Sequence, residues 1–203
     1  MPSFMLLVAL LAVSGPVAAP RPLARVALAL DARLPTSVSR IALEETAILW
    51  APYGVMVAGP PPPPPRPMPG AIDATLTVYI EDAPVPPGIW SGPFASIHFV
   101  DGVPGTTILL HYDNLTRLGL ATLTVGNAPE AQWPRSVRER VLGRMIGRVL
   151  AHEIGHWLLR SRGHSPTGLM RAVQRVTELA DPARAGFRLD PRDVVRLEKN
   201  VVR

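Results

Sequence analysis

The 203-residue chain has no cysteine, a single lysine and few aromatic residues, and each scarcity narrows what it can be. Without cysteine no disulfide can staple the fold, so the chain must hold itself together chiefly by core packing, for which its length is sufficient. Lys199 is the one lysine among 21 cations. The arginines that make up the rest are spread along helical faces, with no aromatic interleaving of the kind that stacks bases. A nucleic-acid partner is therefore not expected, although residues 135–203 carry 15 cations and 7 carboxylates, a net of +8, against a net of −3 before them. Long apolar runs are missing too. The longest, Phe4 to Val13, is shorter than the roughly 20 residues of a spanning helix. Ser14-Gly15-Pro16 breaks it, and Val17-Ala18-Ala19 offers small residues for cleavage after Ala19. This is a signal-peptide pattern, although no Lys or Arg precedes the apolar core. Residues 1–19 are expected to be a signal peptide, the product to be secreted or periplasmic without stable membrane insertion, and residues 20–203 to form one domain.

What is present reads as an α+β fold. Val26 to Leu30 is a short buried strand, Pro35-Thr36-Ser37 opens a helix with Ile41, Ile48 and Leu49 inward, and Val55-Met56-Val57 is a second strand. The proline-rich stretch at 60–69 cannot join a sheet and reads as a stiff surface loop or, alternatively, a ligand for a proline-binding domain. Thr75 to Ile80 alternates and is β-branched-rich, a strand signature. Ala95 to Val100 and Thr107 to Tyr112 make two more strands around a turn at Asp101 to Gly105. That totals a twisted mixed sheet of about five strands. Ser136-Val137-Arg138-Glu139 has the form of a capping box and predicts a long helix from Val137. Its buried face is Val141, Leu142, Met145, Ile146 and Val149, and Gly143 and Gly147 admit a close neighbour. Asp190-Pro191 starts a final helix to about Asn200, part of a small C-terminal subdomain.

The long helix carries the chemistry. It runs into His152-Glu153-Ile154-Gly155-His156, followed by His164 and Met170. Positions four apart share a helix face, so His152 and His156 can reach one metal ion. Zinc accepts neutral imidazole nitrogen, and a catalytic site uses three protein ligands and a water. Glu153, beside the first ligand, can take a proton from that water. His164 is the nearest candidate third ligand. A carboxylate left without a partner in so apolar a run would be costly to bury, which argues against an accidental match.

These residues resemble the metzincin metalloproteases, most closely the matrixin-like branch, whose motif is H-E-x-x-H-x-x-G-x-x-H with a Met-containing turn under the zinc. The resemblance implies a zinc-dependent peptide hydrolase over residues 20–203, Zn2+ on His152, His156 and His164, Glu153 as general base, and Met170 as an apolar floor. It also implies a peptide or protein substrate lying extended along an edge strand at Ala95–Val100. The absence of cysteine removes the pro-segment thiol that caps the zinc in matrixin-like enzymes. Two departures stand out. Leu159 replaces the family glycine, and His164 follows His156 by eight residues where the family has six. The spacing predicts that the helix continues through Arg160 and Ser161 and that Gly163 supplies a left-handed turn before His164. A rival third ligand is Glu178, as in the thermolysin-like branch. Two other functions remain open at this level, a zinc-holding binding module without catalysis and a basic surface-binding protein for acidic polymers.

Overall fold

The computed structural model describes residues 23–60, 72–81 and 92–201. The expected leader at 1–19 and the proline run from Pro61 onward lie outside them. The architecture is α+β, a five-stranded mixed sheet with a long helix packed on it and a C-terminal helix beyond.

The strands are β1 (Ala24–Leu30), β2 (Val55–Ala58), β3 (Ile72–Ile80), β4 (Ala95–Val100) and β5 (Val103–Leu110), in the order β2-β1-β3-β5-β4. All pairings are parallel except β4 with β5, which is antiparallel. The expected turn at 101–105 is shorter than its Pro and Gly suggest. Asp101 and Gly102 both take positive φ, 50° and 80°, so two residues close the hairpin and β5 starts at Val103. The outcome for the site is that, among the described residues, β4 ends the sheet, paired on one side and open on the other.

Helix α1 (Thr36–Trp50) joins β1 to β2 and lies against α2 (Arg135–Leu159). Its inner face is Val38, Ala42, Thr46, Leu49 and Trp50. Ile41 is half-buried and Ile48 is exposed, a correction to the expected face. The reason is that α1 meets two glycines of α2 through Val38, Ile41, Ala42 and Glu45, a face that leaves Ile48 outside. A Cβ on Gly143 would stand 2.7 Å from the Ile41 Cβ, and one on Gly147 would stand 2.7 Å from the Ala42 carbonyl oxygen. The close approach lets α1 hydrogen-bond the backbone of α2. The Thr46 hydroxyl donates to the Gly147 carbonyl at 2.9 Å, and the Trp50 indole donates to the Ala151 carbonyl at 3.1 Å.

Helix α2 buries the five residues expected, and also Leu150, Ile154, Leu158 and Leu159. Full burial of each large aliphatic contributes about 1.5–3 kcal/mol, which makes α2 the centre of the core. Its start differs from expectation. The helix begins at Arg135 after Pro134, so Ser136 already lies within the first turn and makes no cap bond. Glu139 instead accepts from Arg135 Nε at 2.7 Å and from the Ser37 hydroxyl at 2.8 Å. Its end differs too. The helix stops at Leu159, and Arg160 takes the left-handed conformation at φ 48°. Gly163 has no positive φ.

Between β5 and α2 lie short helical turns over 114–122 and a small hairpin of β6 (Thr124–Val125) and β7 (Ala128–Pro129), elements with no periodic signal in the sequence. The C-terminal part holds α3 (Val176–Ala180) and α4 (Pro191–Val201). The Asp190 carboxylate accepts from the Arg192 backbone N–H at 3.0 Å, the cap expected there. A buried ion-pair network ties this part to both long helices. Arg148, fully buried, donates Nε to Glu45 at 2.9 Å and Nη2 to the Ala183 carbonyl at 2.8 Å, while Arg184 donates to the other Glu45 oxygen at 2.7 Å. Among the described residues no helix is long and apolar enough to cross a membrane.

Candidate metal centre

Helical spacing puts His152 and His156 on one face of α2, and the reversal at Arg160 brings the following loop back over them. The nitrogens of His152, His156 and His164 all lie within 4.8 Å of one another. The His164 ring stacks on His152, with centroids 5.3 Å apart and planes at 19°, and stands edge-on to His156 at 4.9 Å. The sequence-predicted triad is thus assembled. The loop is anchored on two sides. The Ser165 N–H donates to the Met170 carbonyl at 2.8 Å, and the Ser165 hydroxyl donates to the buried Asp193 carboxylate of α4.

Each helical imidazole is held through Nδ1. His152 Nδ1 lies 2.7 Å from the Leu169 carbonyl oxygen, and His156 Nδ1 lies 2.6 Å from the Ser161 carbonyl oxygen. A carbonyl only accepts, so both Nδ1 atoms carry the proton and both Nε2 atoms keep a lone pair. Those Nε2 atoms face each other at 3.0 Å. Protonating one would join them by a hydrogen bond, but burial opposes that charge. It pushes His152 down to about 4 and lowers His156 as well. Two converging lone pairs that resist protonation are a donor set for a cation. Imidazole nitrogens about 2.0–2.1 Å from a tetrahedral ion stand about 3.3 Å apart, so the residues present fit a metal ion.

Glu153 is 6% exposed and lines the same cleft. Burial pushes its carboxyl up to about 7, opposed by a hydrogen bond from the Ile97 backbone N–H on β4. The group is therefore balanced between its two protonation states near neutral pH. The cleft, of about 840 Å³, runs between β4 and α2. Below the ligands, Met170 is 1% exposed and packs on Gly155, where an added Cβ would come within 2.1 Å of its sulfur. Gly168, at φ 77° and with its Cα side against the Arg188 carbonyl, makes the turn that presents Leu169.

Other candidates fall away from the centre. Glu178 is engaged by Arg171 and by the Arg175 backbone N–H, which together hold its carboxyl below the usual range, with the backbone bond the larger cause. It is not in the histidine cluster. His111 pairs through Nδ1 with Glu81 at 2.6 Å, and His98 lies exposed at the cleft wall. What sequence reasoning missed is the supporting shell, namely the Leu169 and Ser161 carbonyls, Ser165 with Asp193, and Arg148 with Glu45. Arg148 alone left a signal, as a charge within an apolar helical run one turn before His152.

No family model, curated protein or solved structure matches this chain.

Proposed function

We propose that this chain is a zinc-dependent peptide hydrolase of the metzincin kind, exported by its N-terminal apolar segment. The observation that carries the reading is the pair of Nε2 lone pairs at 3.0 Å, completed by His164 and bordered by the buried Glu153. The departures from the family pattern are compatible with it. The chain leaves the helix directly after Leu159, so no glycine is needed there, and the longer loop still returns His164 to its partners. The Gly168-Leu169-Met170 turn fixes His152 through a carbonyl and underlies the ligands with Met170, the arrangement that the Met-turn resemblance implies.

His152, His156 and His164 would hold the ion, which supplies Lewis acidity that polarises a carbonyl and lowers the pKa of water toward about 7. The residues of the chain do the rest. The Leu169 and Ser161 carbonyls keep the imidazoles neutral and oriented. Glu153 accepts a proton from the attacking water at a carboxylate oxygen. As the water oxygen bonds to the carbonyl carbon and the C–N bond breaks, Glu153 passes that proton to the leaving amine. The open side of β4 offers backbone groups to an extended peptide. A module that only held zinc would have no use for a proton acceptor placed beside the ligands.

The test is casein hydrolysis by the zinc-loaded protein and by Glu153→Gln, with metal content measured on both. Retained zinc with turnover lower by about 10²–10⁴ is expected. An inactive zinc-loaded wild type, or full activity in the variant, would sink the proposal.

A further inference from the structure

Among the charged groups that line the cleft, Arg162 differs from the rest. Arg171 is charge-paired with Glu178, although its buried Nε has no hydrogen-bond partner, and Glu153 takes the Ile97 N–H. Arg162 is exposed, lines the cleft, and has no carboxylate partner among the described residues. It is nevertheless held in place. Its Nη2 donates to the Phe99 carbonyl at 3.0 Å, and its guanidinium lies 5.2 Å from the centre of the Phe99 ring. A guanidinium has five N–H donors in a planar fork that matches a carboxylate, so one bond to Phe99 leaves the others for a ligand. That carbonyl belongs to β4, the strand whose far side is open. The loop between His156 and His164 thus brings a fixed, uncompensated cation to the track an extended peptide would follow.

Resting on the peptide reading above, we infer that Arg162 is a specificity-determining residue that selects acidic peptides, binding an Asp or Glu side chain of a substrate strand beside Phe99. The ring shields one face of the guanidinium from water and limits its rotamers, so less order is lost when the carboxylate arrives. A neutral amide in the same place forfeits the charge-assisted bond, a difference of about tenfold in affinity.

The experiment uses short fluorescein-labelled peptides of Ala, Leu and Gly carrying one Asp, moved along the sequence, with Asn-containing twins. Binding is followed by fluorescence anisotropy on zinc-loaded Glu153→Gln, alone and combined with Arg162→Gln, Arg162→Lys or Arg162→Glu. Zinc content is measured for each protein, because Arg162 lies two residues from His164. The expected result is a roughly tenfold preference for Asp over Asn at one register. It should vanish with Arg162→Gln, persist in part with Arg162→Lys, and turn toward Lys-containing peptides with Arg162→Glu. Equal affinity for the twins, or a preference that survives Arg162→Gln and Arg162→Glu in zinc-loaded protein, would overturn the inference. The same peptides are then offered to the zinc-loaded wild type. Cleavage without an Asp preference removes the role of Arg162 and leaves the hydrolase standing. Asp-dependent binding with no cleavage does the reverse. If no peptide binds, both fall.

Discussion

The Leu169 carbonyl accepts the Nδ1 proton of His152 at 2.7 Å, and this one bond joins the turn beneath the site to the first candidate ligand. It fixes the tautomer and aims Nε2 at His156. The turn that provides it is itself constrained, since Gly168 has φ 77° and a Cβ there would lie 2.0 Å from the Arg188 carbonyl oxygen.

His164→Ala should weaken zinc binding by more than the roughly 10–100-fold that loss of an outer hydrogen-bond partner causes. Glu178→Ala should leave it nearly unchanged, because Glu178 is occupied by Arg171 and the Arg175 N–H. Competition with a coloured chelator measures both. Zinc lost from the Glu178 variant and kept by the His164 variant would place the third ligand elsewhere.

The metal-free protein should lose stability with rising pH through Glu153. Its carboxyl is raised from 4.5 to about 7 in the folded state, so the native chain binds more protons than the unfolded chain across that interval. The contribution is fully present below pH 4.5, declines as pH rises, and is gone above about 7. The total is on the order of 3 kcal/mol. Glu153→Gln cannot titrate and should gain on the wild type by that amount across the window. Urea melts in chelator at several pH values give the difference, and the opposite slope from His152 is common to both proteins and cancels. A difference that does not change with pH would mean that Glu153 is not desolvated.

Arg160→Gly should stabilise the fold by about 1 kcal/mol, since Arg160 sits at the left-handed helix end where glycine carries no Cβ penalty. Gly163→Ala should be close to neutral, because Gly163 has no positive φ and its added Cβ would approach only the Ser161 hydroxyl oxygen, at 3.4 Å. Thermal melts decide this. A large loss from Gly163→Ala would return the left-handed turn to the glycine.

Glu45→Ala should destabilise by about 3–5 kcal/mol, because it leaves the fully buried Arg148 guanidinium without its counter-charge. Chemical denaturation reads the loss. A change under 1 kcal/mol would mean that the carbonyls of Glu178 and Ala183 suffice for Arg148.

How far the sequence could be read depends on whether a feature is periodic or made by one contact. The apolar face of α2, the alternation in β3 and the glycines at 143 and 147 repeat along an element, and each is found where the pattern puts it. The histidines are legible for the same reason, since four residues is a helical interval. The ends of α2 depart from the local pattern because other residues outcompete it. Pro134 starts the helix early and Ser37, far along the chain, claims Glu139. At the other end Arg160 adopts the strained conformation, and the chain then turns back so that Ser161 meets His156. Ile48 is exposed although it is apolar, because α1 meets Gly143 and Gly147 through Val38, Ile41, Ala42 and Glu45 instead.

The open side of β4 has a bearing on how copies of this protein behave toward one another. Unpaired strand backbone is a template for any extended chain, another molecule of the same protein included, and it invites edge-to-edge aggregation. Two of its groups are covered here, the Ile97 N–H by Glu153 and the Phe99 carbonyl by Arg162. The side chains that a bound strand meets along this edge are therefore also the ones that keep neighbouring molecules apart, and solubility and reactivity depend on the same pair of residues.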